Sequence, residues 1–408
     1  MRNGGDGHGH DSGGGATDER SGRPGGLAGA LARRVRRHRG LAAAALTAAV
    51  AAGISLPLAL ADSSSDKPCW TLTTGRRALA DDTAAATRAL DPGEDLQRLG
   101  TVRKLLAHEK VCGDGARALG RLVAAATGSE AGRTGTPHTL AQARAAYGVA
   151  AALHGVEIPA GLAPGVARML AEYVVDAGRD DRLRDDGVNR PALPAEEAAP
   201  DEDGYSPLGR FLAPGEAHAV FGHADAVAEA EADIEGLVAE LAEDPEAFAI
   251  LYDAERAHLA YYLERLTDRG GDPDFRPSAD KRFTTTPQDW PDHDLHDIAG
   301  RVGTLMKFRA RHIRDGTIAD PAAFDKAVRA HTRGAFRPAA RQLRSRPPMG
   351  DIADRPTAGP VRGDLLDGRH QLTEALDEWA GHRDVPDERL GAMRQLLDNW
   401  YVRALWLR

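Results

Sequence analysis

Apolar residues recur every three or four positions along most of the chain beyond residue 95, and this is the period of an amphipathic helix. Prolines, glycines and charged clusters separate the periodic segments. These segments are Leu96–Leu106, Leu119–Val123, Thr139–Leu153, Val166–Val175, Val227–Leu241, Pro245–Leu266, Leu295–Ile313, Pro321–His331, Leu365–Trp379 and Leu390–Leu405. No alternating run of β-branched residues is long enough to predict a strand. The pattern therefore predicts an all-α fold.

One segment is apolar throughout. Residues Leu41–Ala61 carry no charge and directly follow the basic run Arg33–Arg39. About twenty apolar residues, each rising 1.5 Å, span the ~30 Å hydrocarbon core of a bilayer. Arginines on one flank keep that flank in the cytoplasm. The sequence predicts a disordered basic cytoplasmic tail over residues 1–40 and a transmembrane helix over residues 41–61.

A cleaved signal peptide is the alternative interpretation of this segment. Ala59-Leu60-Ala61 matches the small-x-small pattern of a cleavage site, and cleavage after Ala61 would release a secreted protein. Both interpretations place the rest of the chain outside the cytoplasm, either anchored at the membrane surface or free.

The exported part divides into two predicted helical blocks, residues 62–178 and 208–408. Between them, residues 179–207 hold the run DDRLRDD, two further acidic clusters and four prolines. Charged, proline-rich segments of this kind are typical of linkers. We therefore predict an acidic linker at 179–207.

The charge distribution narrows the possible partners. The chain has a net charge of −9, and because residues 1–61 carry +4, the exported part carries −13. A strongly acidic surface argues against nucleic-acid binding, which requires a basic face. The positive charge is nearly all arginine, with six lysines in the chain, and together with abundant alanine and glycine this resembles a high-GC actinobacterial composition.

Two cysteines, Cys69 and Cys112, lie beyond the predicted crossing, and the chain has no others. In an oxidising compartment such a pair is expected to form a disulfide. The chain-entropy model gives a loop of this length roughly 3–4 kcal/mol of stabilisation. The alternative is two buried free thiols, which pack as small hydrophobic groups.

The densest polar cluster covers residues 292–297, where His293, His296 and Asp297 lie close together at a predicted helix start. Imidazole and carboxylate groups together suit Zn, Mn or Fe, and His258 is a possible further ligand. The alternative is structural: Asp292 or Asp294 caps the helix, and Asp297 interacts with the helix dipole.

The tripeptide His296-Asp297-Ile298 resembles the His-Asp pair of HD-type metal-dependent phosphohydrolases. This resemblance implies a divalent metal ion, with His258 as the upstream ligand and Asp315, Asp320 or Asp325 as the downstream ligand. The resemblance rests on the dipeptide His296-Asp297.

Motifs that would fix an activity are lacking, since the chain contains no G-x-S-x-G, H-E-x-x-H or P-loop pattern. The leading hypothesis is a non-enzymatic envelope protein that presents a helical surface to a protein partner. The alternative is an exported metal-dependent hydrolase centred on His293, His296 and Asp297. The aromatic stripe of the last predicted helix indicates core packing or, alternatively, a docking face.

Overall fold

Helices make up most of the described chain, so the predicted all-α class is confirmed. The computed structural model describes residues 69–128, 137–178, 188–199, 212, 215–271, 290–332, 369, 372–373, 375–377, 379–381 and 383–406. The predicted tail and crossing, residues 1–61, lie outside this set. No helix among the described residues is both long enough and apolar enough to span a membrane.

The first part of the described chain is a set of short helices. In chain order they are α1 (Thr74–Ala78), a 3₁₀ turn (Leu79–Asp81), α2 (Thr83–Leu90), α3 (Leu99–Leu106), α4 (Gly115–Thr127), α5 (Leu140–Leu153), α6 (Ala163–Glu172) and α7 (Val174–Ala177). Within this part, α4 packs against α2 and α6, and α3 packs against α5.

Longer helices form the second part: α8 (Ile234–Leu241), α9 (Pro245–Arg265), α10 (Trp290–Asp315), α11 (Pro321–Thr332) and α12 (Asp387–Trp406). Further helical residues lie at 369, 372–373, 375–377 and 379–380. The most extensive helix contact in the described structure joins α10 to α12.

Local chemistry explains where several helices begin. Thr139 and Gln142 form a capping box at α5, in which each side chain binds the other residue's backbone N–H. The Asp244 carboxylate accepts hydrogen bonds from two backbone N–H groups at the start of α9, whose first residue is a proline. These caps satisfy N–H groups that a helix start leaves without partners.

Two short antiparallel strand pairs interrupt the helical pattern. They pair β1 (Ala192–Leu193) with β2 (His218–Ala219), and β3 (Ala224–Asp225) with β4 (Ala230–Glu231). The prediction of a helix from Val227 was therefore wrong, and α8 begins at Ile234. The Asp225 side chain accepts hydrogen bonds from the backbone N–H groups of Val227 and Ala228, which stabilises a turn where the apolar period predicted a helix.

Helix α9 connects the two parts of the fold. It packs on α6 from the first part and on α10 and α11 from the second. Apolar residues on nearly all of its faces are buried, among them Phe248, Leu259 and Tyr262. One continuous apolar core therefore includes residues from both predicted blocks. The predicted block boundaries stay a prediction.

Two buried polar pairs join segments that are distant along the chain. The His138 ring nitrogen Nδ1 lies 2.9 Å from Glu216 Oε2, and Nδ1 of His218 lies 2.9 Å from Asp176 Oδ1. The other Asp176 oxygen accepts a hydrogen bond from the Ala219 backbone. Such pairs allow polar side chains to be buried without leaving them unsatisfied.

The predicted disulfide is confirmed. Cys69 and Cys112 are bonded, with their Cα atoms 5.1 Å apart. Next to the bond, Trp70 forms an isolated β-bridge with Val111, in which Trp70 donates to the Lys110 carbonyl at 2.9 Å and accepts from the Cys112 N–H at 2.9 Å. The start of the described chain is therefore held to the loop that precedes α4.

We expect replacement of both cysteines by serine to lower the free energy of unfolding by about 3–4 kcal/mol, because the unfolded chain regains the entropy of the open loop. Urea denaturation with and without reductant measures this loss. The control is the double variant itself, which reductant should leave unchanged. Equal stability of the oxidised wild type and the double variant would contradict the prediction.

Candidate ligand-binding site

A cavity of about 430 Å³ lies between α10, α12 and the helices around them. Residues from five helices and from the residue after α7 form its walls: Ala177, Gly178, Ile234, Glu235, Val238, Leu251, Glu255, His296, Asp297, Gly300, Arg301, Thr304, Leu305, Lys307, Trp400 and Ala404. Helix α10 provides the largest share. Residues 296–307 span roughly 16 Å of helix at 1.5 Å per residue, so the cavity follows α10 for about three turns.

The helical period places polar and small side chains on this face of α10. His296, Gly300 and Thr304 are spaced four residues apart, and so are Asp297, Arg301 and Leu305. Other lining residues are apolar and include Ile234 and Val238 of α8. A mixed lining of this kind is typical of small-molecule sites, which combine apolar walls with a few polar groups.

The polar end of the cavity is organised by Arg301. Its Nε donates to Glu255 Oε1 at 2.9 Å, Nη1 donates to the Gly178 carbonyl at 3.4 Å, and Nη2 donates to Nδ1 of His258 at 2.9 Å. Glu255 and His258 lie one turn apart on α9, and Gly178 follows α7. One guanidinium therefore joins three separate segments of the chain.

These contacts set the charge state of each group. Burial would raise the pKa of Glu255, but the Arg301 cation, its hydrogen bond and the nearby His258 together outweigh burial and lower it. Burial would lower the pKa of Arg301, but the Glu255 carboxylate, together with the nearby Asp297 and Asp294, reverses this and raises it. Burial and the Arg301 cation lower the pKa of His258 below its ordinary value of 6.5. The ion pair is therefore fully charged near neutral pH, whereas His258 is neutral.

The neutral His258 has a defined tautomer. Its Nδ1 accepts from Arg301, so its proton is on Nε2. The Glu255 oxygen Oε2 lies 3.9 Å from Nδ1, which is too far for a hydrogen bond. This oxygen is buried and has no hydrogen-bond partner among the described residues. A buried carboxylate oxygen in this state is costly, so Glu255 is prepared to accept a donor.

Stacked rings form another part of the lining. The His296 ring stacks on Trp400 of α12 with centroids 3.4 Å apart, and the Arg403 guanidinium lies 4.5 Å from the Trp400 ring centroid. Nε2 of His296 also lies 3.4 Å from Asp297 Oδ1. The stripe predicted on the last helix is thus mixed: Met393, Leu397 and Tyr401 are buried, and Trp400 lines the cavity.

The structure brings together two of the four predicted metal ligands, His296 and Asp297, on the cavity wall. His258 lies behind that wall, where Arg301 occupies its Nδ1. The side chain of His293 is outside the described residues. Among the side chains that are described, no three His, Cys, Asp or Glu groups are arranged to hold a metal ion. The metal site stays a prediction.

Three aspartates were candidates for the downstream metal ligand that the phosphohydrolase resemblance implies, and all three make other contacts. The Asp325 carboxylate pairs with Arg309, with Nε to Oδ1 at 2.9 Å, and Asp315 accepts from the Thr317 hydroxyl at 2.8 Å. Asp320 caps α11 through the Ala323 N–H. Helix α10 starts at Trp290, so Asp294 lies inside the helix and does not cap it.

Three important residues were missed from sequence: Glu255, Arg301 and the role of Trp400 in the cavity. A signal existed for two of them, since Glu255 and His258 are three apart on one predicted helix, and Asp297 and Arg301 are four apart on another. The contact between those helices joins residues 46 positions apart, which local spacing does not reveal.

We expect the low pKa of His258 to make folding pH-dependent. The unfolded chain takes up a proton at this histidine below pH about 6.5 while the folded protein does not, so stability falls as the pH drops through this value. A His258→Asn variant keeps an acceptor for Arg301 but does not titrate. Its stability should therefore decline less steeply, by up to about 1.4 kcal/mol per pH unit.

Urea denaturation of both proteins between pH 5 and pH 8 measures the difference in slope. All other titrating groups are common to the two proteins and cancel in the comparison. Parallel stability curves over the whole range would contradict a neutral buried His258.

Comparisons of the chain with protein-family models, with curated proteins and with solved structures found no match.

Proposed function

We propose that this protein is a non-enzymatic ligand-binding protein of the bacterial cell envelope, anchored by Leu41–Ala61 or released after Ala61, that holds a small molecule in the cavity along α10. The observation that carries this proposal is the cavity of about 430 Å³. Its volume falls within the range of about 300–1,000 Å³ that small-molecule sites occupy.

The charges around the cavity favour a ligand without a large net charge. Arg301 pairs with Glu255, Lys307 lies 3.7 Å from Glu235, and His296 lies 3.4 Å from Asp297. Each charged group of the lining thus has an opposite or polar neighbour. An ion that entered would have to compete with these pairs, whereas an uncharged or zwitterionic molecule would not.

The lining also indicates what parts such a ligand contains. An apolar body would contact Ile234, Val238 and Leu305 and gain free energy from leaving water. A hydrogen-bond donor at one end would reach towards Glu255, whose Oε2 has no partner among the described residues. The combination describes a small amphipathic molecule with an N–H or O–H group at one end.

One observation favours the second candidate function, an exported metal-dependent hydrolase. His296 and Asp297 both line the cavity, so a metal ion held there would be next to a bound substrate. The alternative would need further ligands, of which His293 is the nearest along the chain. Metal analysis of the purified protein separates it from the binding proposal.

Gly300 offers a way to block the cavity without disturbing the fold. A side chain added there meets no atom within 4 Å of its Cβ. We expect Gly300→Leu to fill the cavity and to weaken binding of the uncharged fluorescent probe N-phenyl-1-naphthylamine, which carries one N–H donor, at least about tenfold, which corresponds to about 1.4 kcal/mol. Titration of probe fluorescence against the full-length protein measures the affinity and the number of sites.

The matched control is Gly391→Leu, because Gly391 lies on α12, is exposed and also has open space around its Cβ. Both changes increase helix propensity, so only the position differs. Probe binding that Gly300→Leu leaves intact would overturn the cavity as the site. Stoichiometric metal in the wild type that His296→Ala removes would overturn the non-enzymatic proposal and favour the hydrolase.

The anchored form has a distinct mass. We expect intact mass measurement of protein from native membranes to show a chain that keeps residues 1–61, since the apolar run is long enough to remain in a bilayer. Protein from the culture medium is the control for release. A chain that begins at Asp62 in both fractions would contradict the anchor and show that residues 1–61 are a cleaved signal peptide.

A further inference from the structure

We propose that one corner of the exported part rests on the anionic phospholipid headgroups of the membrane that holds the chain. The basic corner, as we call it, comprises Trp70, Arg76, Lys104, His108 and Lys110. The inference relies on the proposed anchor and adds an orientation to it.

The basic corner is built around stacked rings. Trp70 and His108 are stacked with their centroids 3.9 Å apart, and the Arg76 guanidinium lies 5.6 Å from the Trp70 ring centroid. His108 interacts through Nε2 with the Lys104 carbonyl at 3.0 Å. Arg76, Lys104 and Lys110 are exposed, and Trp70 is half-buried. A tryptophan among exposed cations is a combination that membrane interfaces favour.

The basic corner is also the point where the tether enters the fold. The disulfide from Cys69 to Cys112 and the bridge from Trp70 to Val111 fix this end of the chain. Eight peptide steps separate Ala61, the end of the predicted crossing, from Cys69. A chain of that length reaches at most about 28 Å.

Charge determines which face turns towards the membrane. Residues 69–128 have a net charge of +2, whereas residues 129–408 carry −14. Within the basic corner and its immediate neighbours, Arg76, Arg77, Lys104 and Lys110 outnumber Glu109 and Asp114, and Asp114 is paired with Arg77 at 2.5 Å. An anionic surface attracts such a corner and repels the acidic remainder.

Because the chain is tethered to the membrane, a weak electrostatic attraction is enough to hold the basic corner at the lipid surface. Individual lysines and arginines near an anionic bilayer contribute modestly, and salt screens them over a Debye length of about 8 Å. Because the anchor keeps the basic corner within a short distance of the lipid, its effective concentration at the surface is high. Contact then follows without a high intrinsic affinity for lipid.

The test uses the full-length chain in nanodiscs made with phospholipids brominated near the headgroup, in either neutral phosphatidylcholine or a mixture with anionic phosphatidylglycerol. Subtracting the signal of Trp70→Phe isolates the fluorescence of Trp70. We expect the bromine to lower Trp70 fluorescence at least about twofold in anionic nanodiscs, because the ring would lie at headgroup level. High salt should reverse the quenching.

The decisive variant is the triple change Arg76→Glu, Lys104→Glu and Lys110→Glu, which should abolish the quenching. Its matched control changes Arg269, Arg314 and Lys326 to glutamate, since these exposed residues of the second part give the same change in net charge. Quenching that survives the first triple variant, or that is equal in neutral nanodiscs, would overturn the proposal. If the protein is instead recovered without residues 1–61, or the full-length chain does not insert into nanodiscs, the anchor itself would be overturned.

Discussion

A partly buried guanidinium is the constraint on which the candidate site depends. Arg301 is held by the Glu255 carboxylate, the His258 ring and the Gly178 carbonyl. Taking a charge out of water costs several kcal/mol, and only a partner charge with good hydrogen-bond geometry offsets it. Each of these contacts must therefore be kept, which fixes α9, α10 and the end of α7 relative to one another. This network therefore holds the polar lining of the cavity in place.

Glycine positions give the cavity its shape. At Gly178 a Cβ would collide with the Arg301 guanidinium, so the absence of a side chain allows the network to form. At Gly303 a Cβ would lie 2.5 Å from the Tyr401 carbonyl, so α10 and α12 approach closely there. One turn earlier Gly300 faces open space. The same residue type thus brings two helices together at one position and leaves room for a ligand at the next.

Local patterns were enough to predict much of the fold. The helical period located most of the helices because most of them bury one apolar face, and the disulfide followed from two cysteines in a segment predicted to be exported. The start of α8 was predicted wrongly because the Asp225 side chain stabilises a turn that apolar spacing does not report.

The site was harder to predict from sequence. His296 and Asp297 stood out because they are adjacent, but Trp400, which stacks on His296, is more than a hundred residues away in the chain. Arg301 was not distinguished from the many other arginines of a chain in which arginine is the main cation. Its importance comes from Glu255 and Gly178, and these contacts exist only once α7, α9 and α10 have packed.

The proposed ligand site and the proposed membrane contact lie at different parts of one structure. The cavity walls come from residues 177–404, whereas the basic corner comes from residues 70–110. Helix α9 carries Glu255 and His258 at the cavity and packs on α6, which in turn contacts α4, the helix that follows the disulfide loop. Substitutions in one site therefore leave the residues of the other unchanged, while the shared core keeps both sites in a fixed relation.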